Sequence, residues 1–193
     1  MKDKHIQIRI EQCLALAKAS NCPRLKVGAL LLDPVRNVVL MDGYNGGPRN
    51  GGKLCGGSRC VRDEENIASG TKIEQGCHHA EMNLICNAAA NGVRTGGAWL
   101  ILTCEPCPLC AKLIHHAGIQ KVIVIDGGFR GDNGVKYLLK HGVKVEGRNG
   151  PLDPRVKIKE KIQCSKKMAK SKSTKIARKL AQKLLTKLLS DTQ

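Results

Sequence analysis

Aromatic residues are nearly absent from this chain: Tyr44, Trp99, Phe129 and Tyr137 make up 2% of it. Base-stacking platforms for single-stranded nucleic acid draw on such rings, so they are scarce here. Long apolar runs are missing as well. No stretch reaches the roughly 20 residues that a membrane-spanning helix needs. The opening MKDKHIQIRI has neither the apolar run nor the small-residue cleavage pattern of a secretory leader. A cytoplasmic location is therefore the expectation. Acids are scarce too, 16 against 33 Lys and Arg, for a formal net charge of +17.

What is present is enough for one core and an appendage: 193 residues, 41% of them hydrophobic. Ten cysteines is a high count. Without a secretory leader, metal binding explains them better than disulfides. Cys22, Cys55, Cys60 and Cys77 precede the pair Cys107 and Cys110, whereas Cys13, Cys86 and Cys164 look ordinary. The charge is uneven. From Arg155 onward thirteen Lys and Arg face two acids, Glu160 and Asp191, so this segment carries +11 and residues 1–154 carry +6. An acidic partner follows: a nucleotide phosphate, a nucleic acid or an anionic membrane.

Hydrophobic periodicity predicts a helix over Ile6–Ala19, with Ile10, Cys13, Leu14 and Ala17 on one stripe. Val27–Leu32 and Val38–Asp42 read as a strand pair, with Asp33-Pro34 and Asn37 in the turn. Gly43–Gly57 is a loop in which seven of fifteen residues are glycine. A helix is predicted over His78–Asn91, with Met82, Ile85, Cys86 and Ala89 buried. Then come a strand at Ala98–Thr103, a helix at Cys107–Ala117 stopped by Gly118, and a strand at Lys121–Ile125. A short helix at Val135–His141 and a strand at Val143–Glu146 complete the pattern. Strands alternating with helices imply an α/β sandwich. Asn-Gly-Pro-Leu-Asp-Pro at 149–154 marks a boundary. A domain over 1–150 is thus followed by a tail over 151–193. In the tail Ile176, Leu180, Leu184 and Leu188 recur every fourth residue among Lys and Arg, the pattern of a basic amphipathic helix. Docking on the core or a neighbouring subunit, nucleic-acid contact and membrane contact are its three readings.

The chemistry sits in His79-Ala80-Glu81 and Pro106-Cys107-Pro108-Leu109-Cys110. One imidazole and two thiolates hold a zinc ion and leave its fourth position to water, while a glutamate two residues after the histidine moves protons. Two cysteines three apart at a helix start point at one ion, and the helix N-terminus favours their thiolates. Cys104 and Cys107 form a competing Cys-x-x-Cys pair, but Cys107 and Cys110 fit the zinc-deaminase pattern. His78 lacks the spacing to Glu81, so packing, loop hydrogen bonding or a second metal is left to it. A structural zinc knot with no open site is the bland alternative, and three ligands plus a glutamate argue against it.

On these residues the sequence resembles the cytidine and deoxycytidylate deaminase superfamily, and within it the deoxycytidylate (dCMP) deaminases. Lys26-Val27-Gly28-Ala29, Gly43-Tyr44-Asn45-Gly46-Gly47-Pro48, His79-Ala80-Glu81-Met82-Asn83, Pro106–Lys112 and Ala117-Gly118-Ile119 carry the resemblance, over about residues 8–147. It implies a three-layer α/β/α sandwich around a mixed sheet of about five strands. It implies that Asn45 bonds the deoxyribose and that Gly43, Tyr44 and Gly46 shape the same wall, with Lys26 and Ala80 among the substrate contacts. As sequence alone, Asn-Gly is also a common turn pair. Arg24, Lys26, Arg49 and Lys53 are the nearest phosphate candidates, each equally readable as a solvated surface charge. The resemblance further implies a second, structural zinc at Cys22, Cys55, Cys60 and Cys77. Buried free thiols or a disulfide are the alternatives there. Dimers or hexamers, and regulation by dCTP and dTTP with magnesium, are family expectations as well. Glu105 before Pro106-Cys107 is also the pattern of tRNA adenosine deaminases and riboflavin-pathway deaminases.

The leading reading is hydrolytic deamination of dCMP to dUMP. Two others stand beside it: a cytosine or adenine deaminase acting on nucleic acid through the basic tail, and a nucleic-acid-binding protein on an inactive deaminase scaffold. Retention of Glu81 weighs against the last.

Overall fold

A computed structural model describes residues 1–48, 59–69, 71, 73, 75–126 and 134–148. The predicted tail helix, the boundary near residue 150, and Arg49, Lys53 and Cys55 lie outside these residues.

The chain begins with α1 (Asp3–Ala17) and a hairpin of β1 (Gly28–Asp33) and β2 (Val38–Tyr44). Asp33 shapes the turn: its Oδ1 accepts from the amides of Val35 at 2.8 Å and Arg36 at 3.0 Å. Asn37 then takes the left-handed φ of 57°, which asparagine tolerates better than most residues. A short α2 (Val61–Glu64) follows, an element that no periodicity announced. Then come α3 (Ala80–Ala90), β3 (Trp99–Cys104), α4 (Pro108–His116), β4 (Lys121–Asp126), α5 (Val135–Lys140) and β5 (Lys144–Gly147). The sheet is mixed, in the order β2-β1-β3-β4-β5. β1 is antiparallel to both β2 and β3, while β3, β4 and β5 run parallel. Two βα units supply the parallel half, as crossover connections must.

Strand alternation divides the core into two faces. Leu30, Leu32, Ile101, Ile123 and Ile125 pack with Ile6, Ile10 and Cys13 of α1. Ala29, Leu31, Leu100, Leu102, Val122 and Val124 are also buried; α3 packs on β1 and β2, and α4 packs against α3 and α5. This is the expected α/β/α sandwich. Two glycines let helices approach closely. A Cβ at Gly28 would come 2.5 Å from the Cys13 carbonyl oxygen. One at Gly43 would come 2.6 Å from the Ala80 carbonyl oxygen and 2.8 Å from the Leu84 amide nitrogen.

Two predicted stripes need correction. Leu14 is 41% exposed, and Ile6 takes its place on the buried side of α1. In α3 the buried residues are Ala80, Glu81, Leu84 and Ala88, whereas Cys86 and Ala89 are exposed and Met82 and Ile85 half-buried. The stripe rule turns a glutamate outward. Here Glu81 faces inward and rotates the helix with it.

Candidate active site

His79 and Cys107 are the N-cap residues of α3 and α4, both in extended backbone. Pro108, the first residue of α4, suits a helix start because its missing N–H would be unpaired there anyway. The two helix starts converge. His79 Nδ1 lies 3.5 Å from the Cys107 sulfur and 3.5 Å from the Cys110 sulfur. The Cys110 amide donates to the Cys107 sulfur at 3.4 Å. Among the described residues, these three form the one group of three or more His, Cys, Asp or Glu whose ligand atoms lie within 4.8 Å of one another. An imidazole and two thiols closing on one point suit zinc. Cys104 stays outside the group, at the end of β3, where burial pushes its thiol pKa up.

The two thiols titrate in opposite directions. Cys107 and Cys110 share a proton. The hydrogen bond from Cys110 draws the Cys107 thiol down to about 4, against the cost of burial and with help from His79. The same bond pushes Cys110 up. Glu81, 4% exposed, has its pKa raised, chiefly by burial. A carboxyl raised in this way suits proton exchange with a bound molecule. Below α4, Gly134 donates to the Pro106 carbonyl at 2.6 Å. Its bare Cα lies against Ala111 and the Cys107 carbonyl, leaving no room for a side chain.

A cavity opens at the trio, lined by His79, Ala80, Glu81, Cys107 and, among others, Asn45. The cytidine and deoxycytidylate deaminase zinc-binding region matches residues 3–126 of the sequence. The chain belongs to that family. The deoxycytidylate deaminase of Enterobacteria phage T4 is 29% identical over 161 residues, covering 67% of this chain and 82% of that protein. ComE operon protein 2 of Bacillus subtilis (strain 168) is 37% identical over 116 residues. That match covers 60% of this chain and 56% of the Bacillus protein, so the chain spans little more than half of that relative. The dCMP deaminase of cyanophage S-TIM5, solved in complex with dCMP and dUMP, superposes with a TM-score of 0.65 at 28% identity. It covers 77% of this chain and 99% of its own.

As a member of this family, the chain distributes its other predicted residues unevenly. Asn45 and Ala80 line the cavity, whereas Lys26, Gly43, Tyr44 and Gly46 do not. Asn45 is 4% exposed and held on both sides. Its Oδ1 accepts from the Val27 amide at 2.7 Å, and its Nδ2 donates to the Leu25 carbonyl at 2.9 Å and towards the Cys77 sulfur at 3.7 Å. Gly43 admits α3, and the Tyr44 carbonyl accepts from Asn83 Nδ2 at 2.8 Å. Gly46 and His78 form a two-bond backbone bridge, at 3.1 and 2.8 Å. His78 thus serves the loop through its backbone.

Cys22, Cys60 and Cys77 line the same cavity. A hydrogen bond with the Cys77 side chain draws Cys22 down to about 5. Arg24 lines it too, 3.4 Å from Asp63 and hydrogen-bonded to the Ile67 carbonyl and Ser69. Arg62 and Glu105 complete a wall that the motifs did not identify. Arg62 was invisible because its role depends on carbonyls that no residue type encodes.

Proposed function

We propose that this chain deaminates dCMP hydrolytically to dUMP and ammonia. The observation that carries this is the convergence of His79, Cys107 and Cys110 beside a buried Glu81 at one cavity. The cyanophage relative, with dCMP and dUMP in its crystal, supports the choice of substrate.

His79, Cys107 and Cys110 would hold the zinc. Bound there, it supplies a water acidic enough to lose a proton near neutral pH. Glu81 takes that proton, places it on the pyrimidine ring nitrogen beside the reacting carbon, and later serves the departing amine. Water enters and ammonia leaves, so the balance closes with no other reactant. Ala80, fully buried between ligand and acid, fixes the spacing of the two. Asn45, rigid in its backbone clamp, stands at the cavity to bond the deoxyribose.

Two finer readings belong with this one. Cys22, Cys60 and Cys77, with Cys55, would hold a second, structural zinc; the reading draws support from Cys22, Cys60 and Cys77 lining one cavity and from the hydrogen bond between Cys22 and Cys77. Assembly into dimers or hexamers, and control by dCTP and dTTP with magnesium, rest on the family resemblance. Nucleic acid as substrate draws no support from the cavity, whose described lining contains no Phe, Tyr or Trp.

The test is ammonia release by zinc-loaded protein on dCMP, CMP, deoxycytidine, dCTP and short single-stranded DNA. Turnover of dCMP that falls about 10²–10⁴-fold in Glu81→Gln is expected. Turnover of DNA alone would overturn the substrate, and no turnover would overturn the activity.

A further inference from the structure

Arg62 is the centre of the outer wall. Its Nη1 donates to the carbonyls of Ile73 at 2.6 Å and Gln75 at 3.0 Å. Its Nη2 donates to the Ala68 carbonyl at 2.9 Å and Thr71 Oγ1 at 2.6 Å. Thr71 Oγ1 in turn donates to the Ala68 carbonyl at 3.0 Å. The stem of Arg62 runs under Gly76, where a Cβ would lie 3.1 Å from its Cδ. The chain thus folds around one guanidinium just before Cys77 and His79.

All four of these acceptors are neutral. Carbonyl and hydroxyl dipoles solvate a cation without cancelling its charge. Arg24, the other arginine at the cavity, differs in being paired with Asp63 at 3.4 Å. The remaining charged side chains in the lining, Glu81 and Glu105, are acidic. Among the described residues of the lining, Arg62 is thus the arginine with no carboxylate in ion-pair contact.

We propose that Arg62 determines specificity for phosphorylated substrate: its uncancelled charge in the cavity wall favours a nucleoside monophosphate over the neutral nucleoside. This rests on the deaminase reading above. It needs no direct contact, because charge acts over several ångströms even beside water, where salt screens it. It separates two roles of one residue. Loss of loop order harms every substrate alike, whereas loss of charge harms the phosphorylated one selectively.

The experiment compares kcat and KM for dCMP and deoxycytidine in the zinc-loaded full chain, using wild type, Arg62→Gln and Arg62→Lys. Arg62→Gln is expected to lower kcat/KM for dCMP about tenfold or more through KM, with deoxycytidine changing less than about threefold. Arg62→Lys keeps the charge and should recover part of the dCMP preference. In wild type, added salt should raise KM for dCMP and leave deoxycytidine unchanged, a readout that does not depend on either variant folding. Equal losses on both substrates, or a salt-independent KM for dCMP, would overturn the inference. Absence of dCMP turnover in wild type would instead remove the proposed function beneath it.

Discussion

The cavity has two walls built on opposite principles. The inner wall is made by the starts of α3 and α4, seated on a sheet whose central side chains are fully buried. His79, Glu81, Cys107 and Cys110 take their places because apolar packing holds the helices that carry them. The outer wall, residues 59–77 as far as described, buries little: Ile67 is half-buried and Ile73 is 51% exposed. Its order comes from hydrogen bonds of Arg24 and Arg62 to main-chain carbonyls. Packing fixes atoms to within fractions of an ångström and resists change cooperatively. Hydrogen bonds exposed to water contribute about 1 kcal/mol each and open locally. Chemistry on the packed wall and substrate discrimination on the bonded wall is the division this contrast suggests.

The same substitution placed in each wall breaks the comparison most directly. Gly43→Ala puts a methyl group against the backbone of α3, 2.6 Å from the Ala80 carbonyl oxygen and 2.8 Å from the Leu84 amide nitrogen. Backbone cannot swing aside, so we expect a loss of about 1–3 kcal/mol in urea unfolding. kcat should fall with it, since α3 carries Glu81. An unchanged midpoint with raised KM alone would instead return Gly43 to the substrate wall. Gly76→Ala is the milder partner. Gly76 has φ of 114°, where a side chain is strained, but its steric neighbour is the flexible stem of Arg62. The expected outcome is faster amide exchange confined to residues 60–77, with the unfolding midpoint of the core displaced by less than about 1 kcal/mol. A global loss equal to that of Gly43→Ala would show that the two walls are one cooperative unit.

This contrast also explains what was legible in the sequence. The grouping of His79, Cys107 and Cys110 beside Glu81 was readable because metal chemistry demands particular residue types at particular spacings. Most helices and strands were readable because burial imposes a period, and the core strands β1, β3 and β4 fall within a residue or so of their predicted spans. The outer wall obeys neither rule. α2 is only four residues long, and carbonyls, which every residue has, supply most of the acceptors for Arg62. The Gly-Tyr-Asn-Gly motif was legible as a motif, and its residues divide in the structure. Asn45 reaches the cavity, while Gly43 and Gly46 serve helix approach and the bridge to His78.

Cys86 offers the smallest and most discriminating test of the inner wall. Periodicity placed it in the core with Met82, Ile85 and Ala89, because a stripe drawn through apolar residues excludes glutamate. The structure exposes Cys86 and buries Glu81 with Leu84 and Ala88. A thiol in a core contributes packing and tolerates a hydroxyl poorly, whereas surface substitutions stay within about 0.5 kcal/mol. Cys86→Ser should therefore leave both the unfolding midpoint and dCMP turnover essentially unchanged. A loss of about 2 kcal/mol or more would mean that this face is covered in the folded state. The rotation that brings Glu81 to the cavity would then have to accommodate burial on both sides of α3.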